Sequence, residues 1–328
     1  MKRPLTCLLT RLFAGLSAAL LAMWFTGPAL AFPDKPVRII VAFPPGGGTD
    51  ALTRILSVEL GKIWNQQVIV DNRPGAQGNI GTLMGVKAPP DGYTITLAHQ
   101  GVFTINPYIY NNIGFDPVKD LLPITRATEQ PFVVVVNPTL PARNLKDLVD
   151  LAKKQPGKLT FASSASGPQM AGEMFKLASG TSLLHVAYKG AGPAIIDLLG
   201  GQVDMMFANP ASASPHVKSG KLRALVVFGK KRIDAMPEVP TAAEAGYPQL
   251  GETPEWYGYA VPVGTPQAII NKLNADFTAA LKTPEAQKSI QTLGLTASPS
   301  TPEEFARQIK ADNEAWGKVV KAAGVKAE

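Results

Sequence analysis

Cysteine is all but missing from this 328-residue chain; the one present is Cys7. A disulfide framework and a cysteine-based metal site are therefore excluded. Histidine is nearly as scarce, and His99, His185 and His216 have no metal-ligand spacing. There is no G-x-S-x-G nucleophile elbow and no Walker loop. Gly46-Gly47-Gly48 lacks both the third glycine and the acidic partner of a dinucleotide fingerprint. No close carboxylate pair stands out as an acid–base dyad. Charged residues make up 17%, too few for a disordered polyampholyte. The formal charge of +7 falls to +4 once Lys2, Arg3 and Arg11 are set aside, which is too mild and scattered for a nucleic-acid binder. Lys230-Lys231-Arg232 reads as a solvated surface run. Beyond the N-terminal segment, no apolar run approaches the ~20 residues of a membrane span. These absences argue against an enzyme and leave no cofactor or metal to be expected.

What is present begins with an export signal. Lys2, Arg3 and Arg11 form a basic start, Leu12 to Phe25 is apolar and uncharged, and Ala29-Leu30-Ala31 supplies the small-x-small cleavage pattern. Residues 1–31 are read as a signal peptide. Cleavage after Ala31 removes Cys7 and places the product, starting at Phe32, in the periplasm.

The rest alternates strand-like and helix-like segments, the pattern of βαβ units. Val37–Phe43 is an apolar strand that stops at Pro44-Pro45-Gly46-Gly47-Gly48, after which Asp50 is placed to cap a helix from Ala51 to about Trp64. Phe132–Val136 is uniformly strand-like, and Asn144 caps a helix that Pro156-Gly157 ends. Met170 to Ser179 reads as a helix. Thr265-Pro266 opens another with proline in its first turn, and Thr301-Pro302-Glu303-Glu304 is a capping box. Four glycine- or serine-rich loops lie between a strand and a helix: Pro45–Asp50, Gly75–Ile80, Ser163–Gln169 and Tyr188–Gly192. Such loops let backbone N–H groups approach a ligand and form an anion site without Arg or Lys.

The residues in and around these loops resemble the Bug-type receptors of tripartite tricarboxylate transporters. The matching stretches are AFPPGGGTD at 42–50, DNRPGAQGNIG at 71–81, PPDGYTI at 89–95, VVVNPTLPARNLKDLVDLAKKQPGKL at 134–159, YKGAGPAIIDLLGGQVDMMF at 188–207, MPEVPTAAEAGYP at 236–248 and WYGYAVPVGTP at 256–266. They fall in the family's order and span the mature chain. The resemblance implies an α/β, two-lobed periplasmic-binding-protein fold of the type II, venus-flytrap kind, each lobe a mostly parallel sheet flanked by helices. Lobe 1 is expected over 32–130 plus 252–328 and lobe 2 over 131–251, with the strands at 132–136 and 257–261 as the hinge.

In the family a ligand carboxylate is gripped by backbone N–H groups of the first two loops and by ordered water, and the second lobe supplies specificity. Carried over by position, Phe43, Gly46, Gly47 and Thr49 are the first-loop contacts and Ala76, Gln77 and Asn79 the second. Ser163, Ser164, Ser166, Tyr188 and Asp204 are the second-lobe candidates. Gln77 stands where the family commonly has glycine, and Gln169-Met170-Ala171-Gly172 where it often has His-Leu-Ala-Gly. His99 and Phe103 flank the site in sequence and read as packing or solvent-exposed residues.

The function implied is capture of a small carboxylate (an organic, aromatic or amino acid) by a monomer that delivers it to large and small membrane subunits. The alternatives are a ligand-loaded sensor that docks on a two-component receptor kinase and, further off, a secreted enzyme on the same scaffold. Intact-mass measurement of the exported protein is expected to give a chain that starts at Phe32; recovery of the uncleaved chain in the membrane fraction would contradict the signal-peptide reading.

Overall fold

Two β-sheets carry the chain, and each mixes parallel with antiparallel pairs. The computed structural model describes residues 32–251 and 254–326; Ala31 and the cleavage position lie outside them. Residues 35–328 form one compact unit. Its first sheet contains β1 (Val37–Val41), β2 (Val68–Asn72), β3 (Thr94–His99), β4 (Leu121–Gln130), β10 (Glu255–Pro262) and β11 (Thr296–Ala297), in the order β11-β4-β10-β3-β1-β2. The second contains β5 (Phe132–Val136), β6 (Thr160–Ser163), β7 (Leu184–Ala187), β8 (Met205–Ala208) and β9 (Arg223–Phe228), in the order β7-β6-β8-β5-β9.

Strands β1, β2 and β3 pair in parallel, while β10 is antiparallel to both β3 and β4. In the second sheet β6 pairs in parallel with β7 and β8, and β5 is antiparallel to both β8 and β9. The interior reversed strands β5 and β10 are those that follow a crossing between sheets, while the edge strand β11 is also antiparallel, to β4. Only Pro131 separates β4 from β5, so the chain runs out of one sheet and into the other without turning. It returns through 229–254 into β10.

Both reversed strands are buried along their whole length. In β5 the two-residue side-chain period divides the core. Phe132, Val134 and Val136 pack with Phe161, Phe175 and Phe207, while Val133 and Val135 pack on the other face with Ile195, Leu198 and Met206. This is why FVVVV is apolar throughout rather than alternating.

Ten helices flank the sheets among the described residues: α1 (Gly48–Trp64), α2 (Asn79–Val86), α3 (Asn106–Ile109), α4 (Leu145–Lys154), α5 (Ser166–Ser179), α6 (Ala191–Leu199), α7 (Pro210–Lys218), α8 (Gln267–Lys282), α9 (Pro284–Thr292) and α10 (Pro302–Ala323). None is long and apolar enough to cross a membrane. The Asn144 side chain accepts the Asp147 N–H at 2.8 Å, and the Thr301/Glu304 capping box is formed at both of its bonds. Three helix starts differ from the sequence reading. Helix α1 begins at Gly48, so Asp50 lies within its first turn and reaches back to accept the Gly46 N–H at 2.9 Å. Helix α5 begins at Ser166, with Pro168 in its first turn, where the missing N–H costs nothing. Pro266 takes the N-cap of α8 itself, and the Thr265 hydroxyl donates to Pro262 O at 2.8 Å.

Helix α10 packs on β10 through Phe305, and the approach depends on Gly258. A Cβ there would lie 2.4 Å from two ring carbons of Phe305 and 2.7 Å from Thr125 O. Phe305 is fully buried and cannot swing away. Gly258→Ala is therefore expected to cost about 1–3 kcal/mol by overpacking, read as a thermal midpoint lowered by several degrees; an unchanged midpoint would contradict this packing.

Candidate functional site

A cavity of about 70 Å³ lies where the two sheets face one another, at the carboxyl ends of their parallel strands. Its walls are the turns that follow β1 (Phe43 to Pro45 and Gly47 to Thr49), β6 (Ser164, Ala165, Pro168), β7 (Gly190 to Pro193) and β8 (Asn209, Ser212), with His99 at the end of β3. The amino end of β10 adds Glu255 and Tyr257, because that strand runs the other way. In open α/β sheets this edge is where ligands sit.

Four helices start at the cavity: α1 at Gly48, α5 at Ser166, α6 at Ala191 and α7 at Pro210. The first N–H groups of a helix have no partner within it, and the helix dipole places positive charge there. The lining contains no Lys and no Arg. The amino ends of these helices supply positive potential from the backbone, a geometry suited to an anion, although Glu255 also lines the cavity. No group of acidic, histidine or cysteine side chains able to hold a metal occurs among the described residues.

The titratable lining is His99, Tyr257 and Glu255. Burial drives His99 down to about 3, so it is neutral. Its Nδ1 accepts the Gly101 N–H at 3.1 Å, which assigns the ring proton to Nε2, 3.3 Å from Glu255 Oε1. Burial pushes Glu255 up to about 7, against hydrogen bonds from Gln130, Tyr257 and Asn209 that favour its charge. Burial and the neighbouring Glu255 raise Tyr257 well above the ordinary tyrosine range. Phe43, His99 and Tyr257 stack as a continuous wall, with centroids 4.6 Å and 5.2 Å apart.

The two sides meet across the cavity. Gly190, at φ +146, leaves just enough room for Pro44, since a Cβ would sit 3.3 Å from the proline ring. A Cβ on Gly48 would lie 3.2 Å from Ala211 Cβ, and Asn209 Nδ2 donates to Glu255 and, at 2.5 Å, to the Tyr257 hydroxyl oxygen. The cleft is shut. A larger cleft of about 650 Å³ involves Lys230, Lys231 and Arg232 but also Glu129, Asp234 and Asp312, and no helix starts there.

Residues 52–325 match the family model described as the tripartite tricarboxylate transporter family receptor. The chain belongs to this receptor family. Protein BugT of Bordetella pertussis is 35% identical over 97% of this chain and 99% of its own length. Among solved structures, the periplasmic binding protein BugD is similar at a TM-score of 0.85 and 34% identity, covering 90% of this chain and 100% of that one. The R. palustris protein Rpa4515 with adipate gives 0.87 and 32%, over 90% and 99%. MatC from Rhodopseudomonas palustris with bound malate gives 0.83 and 28%, over 88% and 100%. The chain is a periplasmic solute-binding receptor with the two-lobed fold of its relatives, and not an enzyme.

Within the receptor, Phe43, Gly47, Thr49 and Ser164 line the cavity. Gly46, at φ +87, stands one residue outside, its N–H held by Asp50. Burial pushes Asp50 up, but hydrogen bonds from Arg54, Gly46 and Asn72 outweigh it and hold the carboxyl below its usual range. The second loop does not line the closed cavity. It packs behind Phe43, whose ring would lie 3.1 Å from a Cβ on Gly78. Ala76 and Gln77 there adopt φ 45 and 50, conformations that cost non-glycine residues energy. Asn106 Nδ2 ties that loop down by donating to Gln77 O at 3.2 Å and Asn79 Oδ1 at 2.7 Å.

The remaining second-lobe candidates stand off the cavity. Ser163 Oγ bonds His185 Nε2 at 2.7 Å, and the Tyr188 hydroxyl donates to Asp197 at 2.7 Å. Ser166 is buried against Gly101 with its hydroxyl unpaired. Asp204 is at the amino end of β8, on the far edge of the sheet, where it accepts from the Thr160 N–H and hydroxyl at 2.7 and 2.9 Å. His99 belongs to the lining, while Phe103 is core. The sequence reading missed Asn209, Ser212, Glu255 and Tyr257. Asn209 had a local signal in the Asn-Pro helix start; Glu255 had none, since only the reversed direction of β10 brings it to this edge.

Proposed function

We propose that this receptor binds the carboxylate of a small organic, aromatic or amino acid in the cavity and delivers it to the large and small membrane subunits of a tripartite transporter. The convergence of four helix N-termini on a lining without cations carries this reading. The adipate and malate held by the two R. palustris relatives, both dicarboxylates, support the ligand class. The backbone N–H groups of Gly47, Gly48 and Thr49 grip the carboxylate, and Ser164, Asn209 and Ser212 contact it from the other side. A cavity of about 70 Å³ has room for only a few waters, so a longer acid needs a wider cleft. Opening frees Phe43 and gives the ligand access to Ala76, Gln77 and Asn79. The moving bodies are 32–130 plus 252–328 and 131–251, hinged at the strands 132–136 and 257–261. The crossing through a single residue supports that division.

A thermal-shift screen against mono-, di- and tricarboxylates tests the ligand class, since a ligand at 100 times its Kd adds about 2.7 kcal/mol. Two variants test the mechanism. Gly47 has φ −82 and ψ 171, which valine tolerates, and a Cβ there meets nothing closer than Pro44 O at 4.0 Å. Gly47→Val therefore fills ligand space without straining the loop, and affinity is expected to fall at least tenfold, about 1.4 kcal/mol, with the fold kept. Arg73 is outside the lining and pairs with Asp71 at 2.8 Å, so Arg73→Ala is expected to bind nearly as the wild type. The opposite pattern in calorimetric titration would replace the backbone cradle with an Arg–carboxylate pair.

A further inference from the structure

The carboxyl group of Glu255 works against the anion its cavity is built to hold. It lines the cavity with none of its own surface exposed. Its Oε2 accepts from Gln130 Nε2 and the Tyr257 hydroxyl, each at 3.1 Å, and from Asn209 Nδ2. Its Oε1 makes no hydrogen bond and faces His99 Nε2 at 3.3 Å. The groups that surround it are His99 from β3, Gln130 from β4, Tyr257 from its own strand, Asn209 at the start of α7 and the backbone of Gly167 in α5. All of these are uncharged, and no Lys or Arg lines the cavity. A ligand carboxylate enclosed beside an ionised Glu255 places two like charges in a low-dielectric space, where repulsion is strong. Protonation of Glu255 removes it.

We propose that the receptor captures its anion together with a proton, taken from solvent onto Glu255, so that Glu255 is a positioning residue whose charge is removed as the ligand is enclosed. The proposal rests on the carboxylate reading of the cavity. The proton has a place to go, because the Tyr257 hydroxyl donates to a carboxylate and accepts from a carboxylic acid in the same position. Burial already brings Glu255 up to about 7, and a neighbouring anion shifts it further the same way. His99, held near 3, and Tyr257, pushed well above its ordinary range, keep their charge states around neutrality. Below about pH 7 Glu255 carries its proton before the ligand arrives and binding takes up none. Above about pH 7 binding takes one up, and affinity falls by as much as about tenfold per pH unit. Asn209, just after β8 of the second sheet, donates to Glu255 and favours its charge, so the ligand anion rather than this contact drives the proton uptake.

The test is calorimetric titration of the mature receptor with adipate, malate and the other screened acids at pH 6 and pH 8, each in two buffers of different ionisation enthalpy. The expected result is uptake of at least about half a proton per ligand at pH 8, almost none at pH 6, and binding about tenfold weaker at pH 8. Glu255→Gln is expected to bind with the same affinity at both pH values and to take up no proton. Binding by the wild type at pH 8 without proton uptake overturns the proposal, as does uptake that survives in Glu255→Gln. Failure of every acid to bind at either pH instead overturns the carboxylate reading itself. Infrared spectra of the ligand-free wild type add a readout independent of any variant's folding: a buried carboxylic acid C=O band is expected to grow as pH falls from 8 to 6, and its absence overturns the proposal.

Discussion

An anion that leaves water for a closed cavity loses its hydration, and something in the protein has to replace it. In the proposed binding mode the replacement comes from the amino ends of α1, α5, α6 and α7. Most other features of the site serve that arrangement. The helices point inward because each follows a strand whose carboxyl end lies at the cavity edge, and the turns are short and rich in glycine so that backbone rather than side chain reaches the ligand. A lysine or arginine would bind an anion more simply, but its long side chain would have to be ordered and its charge buried whenever the cleft closed empty. Backbone dipoles are fixed by the fold and carry no net charge, so the closed cavity forms without an unpaired cation.

The two reversed strands complete the site. Through β5 and β10 the chain passes between sheets, and because β10 runs against its neighbours its amino end lies at the ligand edge. That places Glu255 and Tyr257 among turns that come from the carboxyl ends of other strands. Asn209 bonds both of them from the second sheet. The segment that links the sheets therefore also supplies the one acidic group of the cavity lining.

Much of the fold was legible in the sequence because it is written in local patterns. The apolar run Phe132–Val136, the Asn144 cap and the Thr301/Glu304 box each declare an element within a few residues. The glycine loops declared half of the site for the same reason, and Phe43, Gly47, Thr49 and Ser164 line the cavity. What local pattern cannot carry is strand direction. Asp204 was carried over by position from the family resemblance, yet it stands just before β8, at the end of that strand away from the cavity. No local pattern singles out Glu255, which the direction of β10 alone brings to the cavity edge. Helix starts were misjudged by a few residues where Asp50 and Ser166 stand inside the first turn rather than before it.

The central claim is that backbone, not a cation, holds the carboxylate. A crystal structure of the receptor with a bound acid tests it most directly. The account predicts carboxylate oxygens at about 2.7–3.2 Å from backbone nitrogens of the loop at Gly47–Thr49, with no lysine or arginine nitrogen within salt-bridge distance. A carboxylate paired with a lysine or arginine side chain, with those backbone N–H groups turned to solvent, would contradict it.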